Sequence, residues 1–311
     1  MFRANGIPPG EAAAALDEQG VPRDPVAVLA ELRRLPVPVL IDCTAGDGME
    51  ALYAEAFRRR IHVVSANKKP LAIEWSRREA LRAAARENHV SWHYETTVGA
   101  SLPVIETLAQ LVRTGDAVRR ITASLSGTLG FLCDELMAGT RLSAAVRKAR
   151  ELGYTEPHPA EDLSGRDVTR KALILAREVG LRLDLADVTV EPFVPERLLA
   201  ATELDSFFRS LEAYDDQIAR RIDGYRAEGR ALRYLARIER GASPVVRVGP
   251  VAVDQGHPAA GLRGTEALVA FTTARHKVLP LAVRGAGAGG AVTASGVLAD
   301  ILRTAQALRG R

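Results

Sequence analysis

Residues 39–93 repeat one pattern, a short apolar run followed by a turn and a longer helical stretch, with a period near 25 residues. Val39-Leu40-Ile41-Asp42-Cys43-Thr44 reads as a buried parallel strand opening into the turn Ala45-Gly46-Asp47-Gly48, and Met49 to Arg60 then has helical spacing. His62-Val63-Val64-Ser65 is the next strand, Ala66 to Lys69 a loop, Ile73 to Glu87 a charged amphipathic helix and Trp92 to Val98 a third strand. Strands that alternate with helices in this way specify βαβ units, so the first ~90 residues are expected to form a doubly wound α/β layer.

Upstream, Glu11 to Leu35 carries two Ala/Leu-rich helical patterns separated by Pro22 and Pro25 and closed by Pro36-Val37-Pro38. Downstream, Leu102 to Arg113 is a helix, Ile121 to Leu125 a strand ending at Ser126-Gly127-Thr128, and Leu129 to Met137, Ser143 to Leu152 and Val168 to Val179 are helices. The last third changes character. Leu232 to Ile238, Val245 to Val253, Ala267 to Thr273 and Leu279 to Val283 read as strands of a mixed or antiparallel sheet, and Ala291 to Leu308 as a closing helix. Asp215 to Gly229 reads as a charged helix with a solvated face.

With 311 residues, 47% of them apolar, the chain has ample material for a core. No apolar run approaches the ~18 residues that span a bilayer, and Met1 to Gly6 lacks the apolar segment of a secretory leader, so a cytoplasmic protein is expected. The net charge of +4 is interspersed rather than blocked, which fits neither a nucleic-acid stripe nor a polybasic membrane patch. Cys43 and Cys133 stand far apart, in no CxxC or Cys/His cluster, and read as small core hydrophobes in a reducing compartment. His89 and His93 straddle a helix end and a strand start, a poor arrangement for joint metal binding, and the other histidines are isolated.

Of the 42 basic residues only Lys68, Lys69, Lys148, Lys171 and Lys277 are lysine. Arginine does not give up its proton in a protein, whereas a buried lysine can be tuned to do so, which singles out each lysine for acid/base chemistry. Lys171 ends the segment densest in ionisable groups, Gly153-Tyr154-Thr155-Glu156-Pro157-His158-Pro159-Ala160-Glu161-Asp162-Leu163-Ser164-Gly165-Arg166-Asp167-Val168-Thr169-Arg170-Lys171. Ser164 can cap the following helix, placing Asp167 in its first turn and Lys171 one turn on. Such a cluster can grip an amino acid by its charged groups while offering a lysine proton; the same spacing also fits a capping box and a surface i,i+4 pair. Ser65-Ala66-Asn67-Lys68-Lys69-Pro70 lies at the carboxyl end of a parallel strand, where open α/β sheets place ligands, and is otherwise a solvated loop. Gly285-Ala286-Gly287-Ala288-Gly289-Gly290 has the spacing G-x-G-x-x-G, but no further βαβ crossover follows it, so it reads as a turn that delivers the last helix and lines a cofactor site from the far side.

Asp42-Cys43-Thr44, Ser65 to Lys69, Tyr94 to Ile105, Leu125 to Thr128, Gly153 to Lys171 and Gly285 to Gly296 together resemble homoserine dehydrogenase in order and spacing. The resemblance runs from about Leu35 to Leu308, is closest to the dehydrogenase half of bifunctional aspartokinase/homoserine dehydrogenases, and is most specific in Gly-Tyr-Thr-Glu-Pro. It implies an α/β fold: a truncated Rossmann-like parallel sheet over 1–93 and 285–311, plus an α+β catalytic and dimerisation domain with a mixed sheet over 94–284. The implied reaction is NAD(P)H-dependent reduction of L-aspartate 4-semialdehyde to L-homoserine, in threonine, methionine and isoleucine biosynthesis, by a cytoplasmic homodimer without nucleic-acid or membrane partners. Carried over by position, Lys171 is implied as proton donor with Lys68 beside it; Glu156, Asp162 and Asp167 as substrate-binding; and Thr44, Lys68 and Gly289 as contacts to NADP or NAD. Glu95, Val98, Ala100 and Leu102 match the loop that holds a structural sodium or potassium ion, largely through carbonyls. The family opens with a strand, a glycine-rich turn, a helix and a second strand that precede anything in this sequence. A cofactor-deficient fragment serving as a dimerising or binding module is therefore the alternative expectation, and threonine control through a C-terminal extension is not expected.

Overall fold

A computed structural model describes residues 6–309 except 21 and 23; the first five residues, from which the absence of a leader was partly read, and the outer limits 1 and 311 expected for the nucleotide-binding part lie outside the described residues. Two short helices open the chain, α1 (Ala12–Gln19) and α2 (Pro25–Leu32). Asp24 starts α2: its Oδ1 accepts from Val26 N and Ala27 N, both at 3.0 Å, and Pro25 takes the position where a missing N–H costs nothing.

The repeat over 39–93 folds as a parallel sheet in the order β1-β2-β3, from β1 (Val39–Asp42), β2 (His62–Ser65) and β3 (Trp92–His93), with α3 (Met49–Arg58) and α4 (Trp75–Glu87) as crossovers. The central strand β2 is buried along its whole length, and Tyr53, Phe57, Val63 and Leu81 form the core between sheet and helices. The strand expected over Trp92 to Val98 stops at His93. A 3-10 turn at Glu95–Thr97 follows, then Gly99 and Ala100 with φ of 87° and 56°. Tertiary partners override the β-prone composition here, since Glu95 N donates to Asp300 Oδ2 at 2.9 Å and the Glu95 carboxylate takes two backbone N–H groups.

Beyond it come α5 (Val104–Arg113), β4 (Val118–Ser124), α6 (Gly127–Ala138), α7 (Leu142–Glu151), α8 (Ala160–Leu163), α9 (Arg166–Glu178), β5 (Val188–Val190), α10 (Glu196–Leu199) and α11 (Leu204–Ala227). β6 (Ala231–Glu239), β7 (Val245–Val253), β8 (Glu266–Thr273), β9 (Leu281–Ala286) and α12 (Gly290–Arg309) complete the chain. The six-stranded sheet has the order β5-β7-β6-β4-β8-β9; every pair is antiparallel except β5 with β7, so it is mixed, as expected. Leu129, Leu173, Phe207 and Phe271 belong to one continuous core beneath it. Through Asp300, α12 returns to the 95–97 turn.

Several expectations change. Asp215 is not on a solvated face: it is 2% exposed, and its carboxylate accepts from Ser143 N at 2.9 Å and Ser143 Oγ at 2.6 Å, capping the start of α7. The helix that holds it begins eleven residues earlier, at Leu204. Cys133 is buried as expected, whereas Cys43 is exposed, because the strand ends one residue before it. Leu279 stands outside the last strand and is 80% exposed, in the turn before β9.

Candidate functional site

The site starts with how two loops are held. Asp42, the last residue of β1, is buried, and its Oδ2 accepts from Tyr53 Oη at 2.5 Å and Asn67 Nδ2 at 3.2 Å, while Oδ1 accepts from Thr44 N at 2.8 Å. Asn67 Nδ2 also reaches Gly46 O at 2.9 Å, and Asn67 Oδ1 accepts from Lys69 N at 3.0 Å. One buried network thus ties the loop after β1 to the loop after β2, at the carboxyl edge of the parallel sheet. Burial, followed by the hydrogen bond to Asp42, pushes the Tyr53 hydroxyl well above the usual phenol range, so it stays a donor.

Opposite these loops, α9 starts at Gly165 with a left-handed φ of 71°, a conformation that favours glycine. A Cβ there would sit 1.9 Å from Tyr234 Oη, so the close packing of α9 on β6 also excludes a side chain. Ser164, expected to cap this helix, does not occupy the cap position; its Oγ lies 3.3 Å from Arg166 N and donates to Glu161 O at 2.5 Å.

Asp167 and Lys171 lie one turn apart on α9. Lys171 Nζ donates to Asp167 Oδ2 at 2.8 Å and to Leu125 O, just past β4, at 2.7 Å; Lys68 Nζ lies 3.2 Å from Asp167 Oδ1. Lys171 is 13% exposed and Asp167 48%, so this is not the free surface pair that the spacing alone allows. Burial pulls the Lys171 ammonium below the usual lysine range; Asp167 opposes that and Lys68 adds to it. Burial alone would raise Asp167, but Lys171 and Lys68 hold its carboxyl well below the usual carboxylate range.

Thr44, Lys68, Glu156, Asp162, Asp167 and Lys171 line one cavity of about 740 Å³. Asp162 fastens its wall. Oδ2 accepts from Glu156 N at 2.9 Å and Oδ1 lies 3.0 Å from the Thr128 hydroxyl, which is also 2.5 Å from Tyr154 O. Burial raises Asp162, against the two hydrogen bonds that favour its charged form. Glu156, by contrast, is exposed in the cavity. Gly287 and Ala288 also line the cavity, whereas Gly289 is not among the lining residues: its φ is +119° and its carbonyl accepts from Thr293 N, opening α12. A neighbouring cavity of about 900 Å³ shares Glu161, Ser164, Arg166 and Arg170 as a common wall but is lined by none of the lysines.

Glu95, Val98, Ala100 and Leu102 lie away from this cavity, around the turn before α5. The Glu95 carboxylate accepts from Ile105 N at 2.6 Å and Glu106 N at 3.0 Å, and Arg303 lies 3.8 Å from it and 3.3 Å from Asp300. Burial, with Asp300 adding to it against the two N–H groups and Arg303, pushes Glu95 up to about 7. The sequence assigns no role to Tyr53, to Thr128 or to the Leu125 carbonyl, although Leu125 to Thr128 is among the stretches that carry the resemblance. Tyr53 looks like one more apolar residue on the buried face of α3, and a backbone carbonyl leaves no trace in residue type.

Two family models match the chain: homoserine dehydrogenase over residues 103–302, and the homoserine dehydrogenase NAD binding domain over residues 11–95. The second match begins well before Leu35, where the resemblance was expected to start, and so takes in α1 and α2. A bifunctional aspartokinase/homoserine dehydrogenase 2 of Zea mays is 42% identical over 283 residues, covering 90% of this chain and 30% of that protein. The homoserine dehydrogenase of Emericella nidulans is 40% identical over 280 residues, covering 87% of this chain and 76% of that protein. Among solved structures, a Candida auris protein of unknown function superposes with a TM-score of 0.83 at 32% identity, covering 97% of this chain and 81% of that one. The chain thus spans about a third of the bifunctional relatives and most of the fungal enzyme. Matched by both models along most of its length, and by a fungal member over three quarters of that protein, the chain belongs to the homoserine dehydrogenase family.

Proposed function

We propose that this chain catalyses the NAD(P)H-dependent reduction of L-aspartate 4-semialdehyde to L-homoserine, a step of threonine and methionine biosynthesis. The observation that carries the reading is Lys171, a nearly buried ammonium held by Asp167 and the Leu125 carbonyl, with Lys68 on the same carboxylate, in a cavity at the carboxyl edge of a parallel sheet. When bound, the nicotinamide cofactor supplies the hydride. The residues present fit such a cofactor: Thr44 and Lys68 line the cavity together with Gly287 and Ala288, whereas Gly289 does not. At Gly287 a Cβ would sit 2.2 Å from Ala267, so the backbone there is necessarily bare.

Negative charge develops on the aldehyde oxygen during reduction. Lys171 meets it with a proton, and Lys68 adds a second positive field. Asp167 favours the charged form of Lys171 against its burial, and the Leu125 carbonyl fixes the direction of its Nζ. Glu156, exposed in the cavity, receives the substrate ammonium, while Asp162 uses both of its oxygens on the wall and sets the Glu156 backbone in place.

A sodium or potassium ion would be held by Glu95 together with the carbonyls of Val98, Ala100 and Leu102. What supports this is a buried pair of acids, Glu95 and Asp300, beside a turn with left-handed residues at Gly99 and Ala100, where side-chain and backbone oxygens would make a donor set suited to a hard cation. The ion would neutralise the turn that supports α5. A cytoplasmic homodimer completes the reading. In support, β9 ends the mixed sheet and pairs only with β8 among the described residues, which leaves an edge for a second copy to cover.

The test is direct. Purified protein should oxidise NADPH, followed by its absorbance, on addition of L-aspartate 4-semialdehyde. Quenching of Trp75 and Trp92 fluorescence by NADPH without any oxidation would refute the assigned reaction.

A further inference from the structure

α9 carries the proposed proton donor near its start and Arg177 and Glu178 at its end, and those two residues reach across to the parallel-sheet part of the molecule. The Arg177 side chain is fully buried: Nη1 donates to Leu71 O at 2.6 Å, Nε to Leu183 O at 2.9 Å and Nη2 to Asp184 Oδ1 at 2.7 Å. Asp184 Oδ1 also accepts from Trp75 N at 2.7 Å, and the Trp75 ring lies 5.7 Å from the Arg177 guanidinium and 5.9 Å from that of Arg78. Glu178 accepts from Arg78 and, at 2.9 Å, from Tyr94 Oη.

Leu71 is three residues beyond Lys68, and Leu71 N donates to Lys68 O at 3.1 Å in a single turn of 3-10 helix. One helix therefore grips the segment 68–71 twice: near its start through Asp167 on Lys68, and near its end through Arg177 on Leu71. The two grips differ in strength. Lys68 and Asp167 are partly exposed, and such a pair does not hold its own geometry. Arg177 is itself fully buried and has three acceptors around a planar fork, which over-determines its position.

We propose that Arg177 is a positioning residue for the reaction: by fixing the carbonyl of Leu71 against α9 it holds Lys68 beside Asp167 and Lys171. This inference rests on the function proposed above. The groups that face Lys171 are Asp167 on its own helix, Lys68 and the Leu125 carbonyl, with Glu156 and Asp162 across the cavity. Arg177 itself faces Asp184, Arg78 and Glu79 and touches none of the reacting groups. If the segment 68–71 slips, Lys171 loses a like charge and its ammonium becomes easier to keep.

The test is Arg177→Met in the full chain, read by kcat, KM and the pH profile of aldehyde reduction. The expected result is a kcat lowered about 10- to 100-fold by misplacement of Lys68, with the alkaline limb moved to higher pH. Arg177→Lys, which keeps one donor for Leu71 O, recovers part of the kcat. Should Arg177→Met not fold, Asp184→Asn carries the test, with a smaller shift in the same direction. A lower melting temperature with unchanged kcat and limb overturns the proposal, because a purely structural arginine gives that result. Lys171→Ala, measured in parallel, separates the two readings: its full activity sinks both, whereas its inactivity beside an unmoved Arg177→Met profile sinks this one alone.

Discussion

Asp167→Asn isolates the electrostatics of the site, since asparagine keeps the shape and an acceptor but removes the charge. At the 2.8 Å separation of Lys171 Nζ and Asp167 Oδ2, the Coulomb attraction is about 6 kcal/mol at an effective dielectric near 20 and about 1.5 kcal/mol in bulk water. Asp167 is half exposed, so screening brings the working value to about 2 to 3 kcal/mol, or roughly two pH units on Lys171. Burial and Lys68 already depress that lysine, and without its counter-charge it titrates lower still. The sign follows from the chemistry. Reduction needs the ammonium, so its rate falls as pH rises through the lysine pKa, and in the variant this limb moves about two units toward acid. The reverse oxidation needs the free amine and gains activity at correspondingly lower pH. The assay is kcat against pH in both directions, with circular dichroism to confirm the fold. A folded Asp167→Asn protein whose limbs coincide with those of the parent would refute the reasoning.

Other consequences concern the scaffold. Tyr53→Phe leaves Asp42 and Ser65 without their shared hydroxyl partner and should cost about 1 to 3 kcal/mol in urea unfolding; it should also raise the KM for NADPH more than it lowers kcat, because the loops after β1 and β2 loosen. Gly165→Ala places a methyl into Tyr234 at a left-handed position, and should lower stability by about 3 kcal/mol, read as a fall in melting temperature. Thr128→Val frees one oxygen of Asp162 and the Tyr154 carbonyl, and should raise the KM for the aldehyde several-fold while cofactor binding, followed by fluorescence, is unchanged.

Much of this fold follows from local pattern. Alternating apolar runs and helical stretches give β1, α3, β2 and α4 within a residue or two, because each is a strong periodic signal, with Pro38 before β1 and Gly48 before α3 as breaks. The failures share a cause. β5 has three residues and pairs in parallel with β7, more than fifty residues on, so its β-branched Val188-Thr189-Val190 is too short a run to announce a strand. The β-prone stretch after Trp92, with Tyr94, Thr96, Thr97 and Val98, instead folds into a turn fixed by Asp300, some two hundred residues away. The same holds at the site. The interval between Asp167 and Lys171 is a helical turn in any sequence, but only the Leu125 carbonyl, 46 residues upstream, and Lys68 make that turn a buried charged centre. Ser164 has a good capping side chain, yet Gly165 takes the cap because Tyr234 leaves no room for any other residue.

The central claim is that the Lys171 ammonium supplies the proton as the aldehyde is reduced, and Lys171→Ala tests it most directly. With saturating NADPH and L-aspartate 4-semialdehyde, kcat should fall at least about 100-fold, while NADPH still quenches tryptophan fluorescence as in the parent. A variant that binds NADPH and turns over within a factor of about two of the parent, well short of the loss expected for a missing proton donor, would contradict the account.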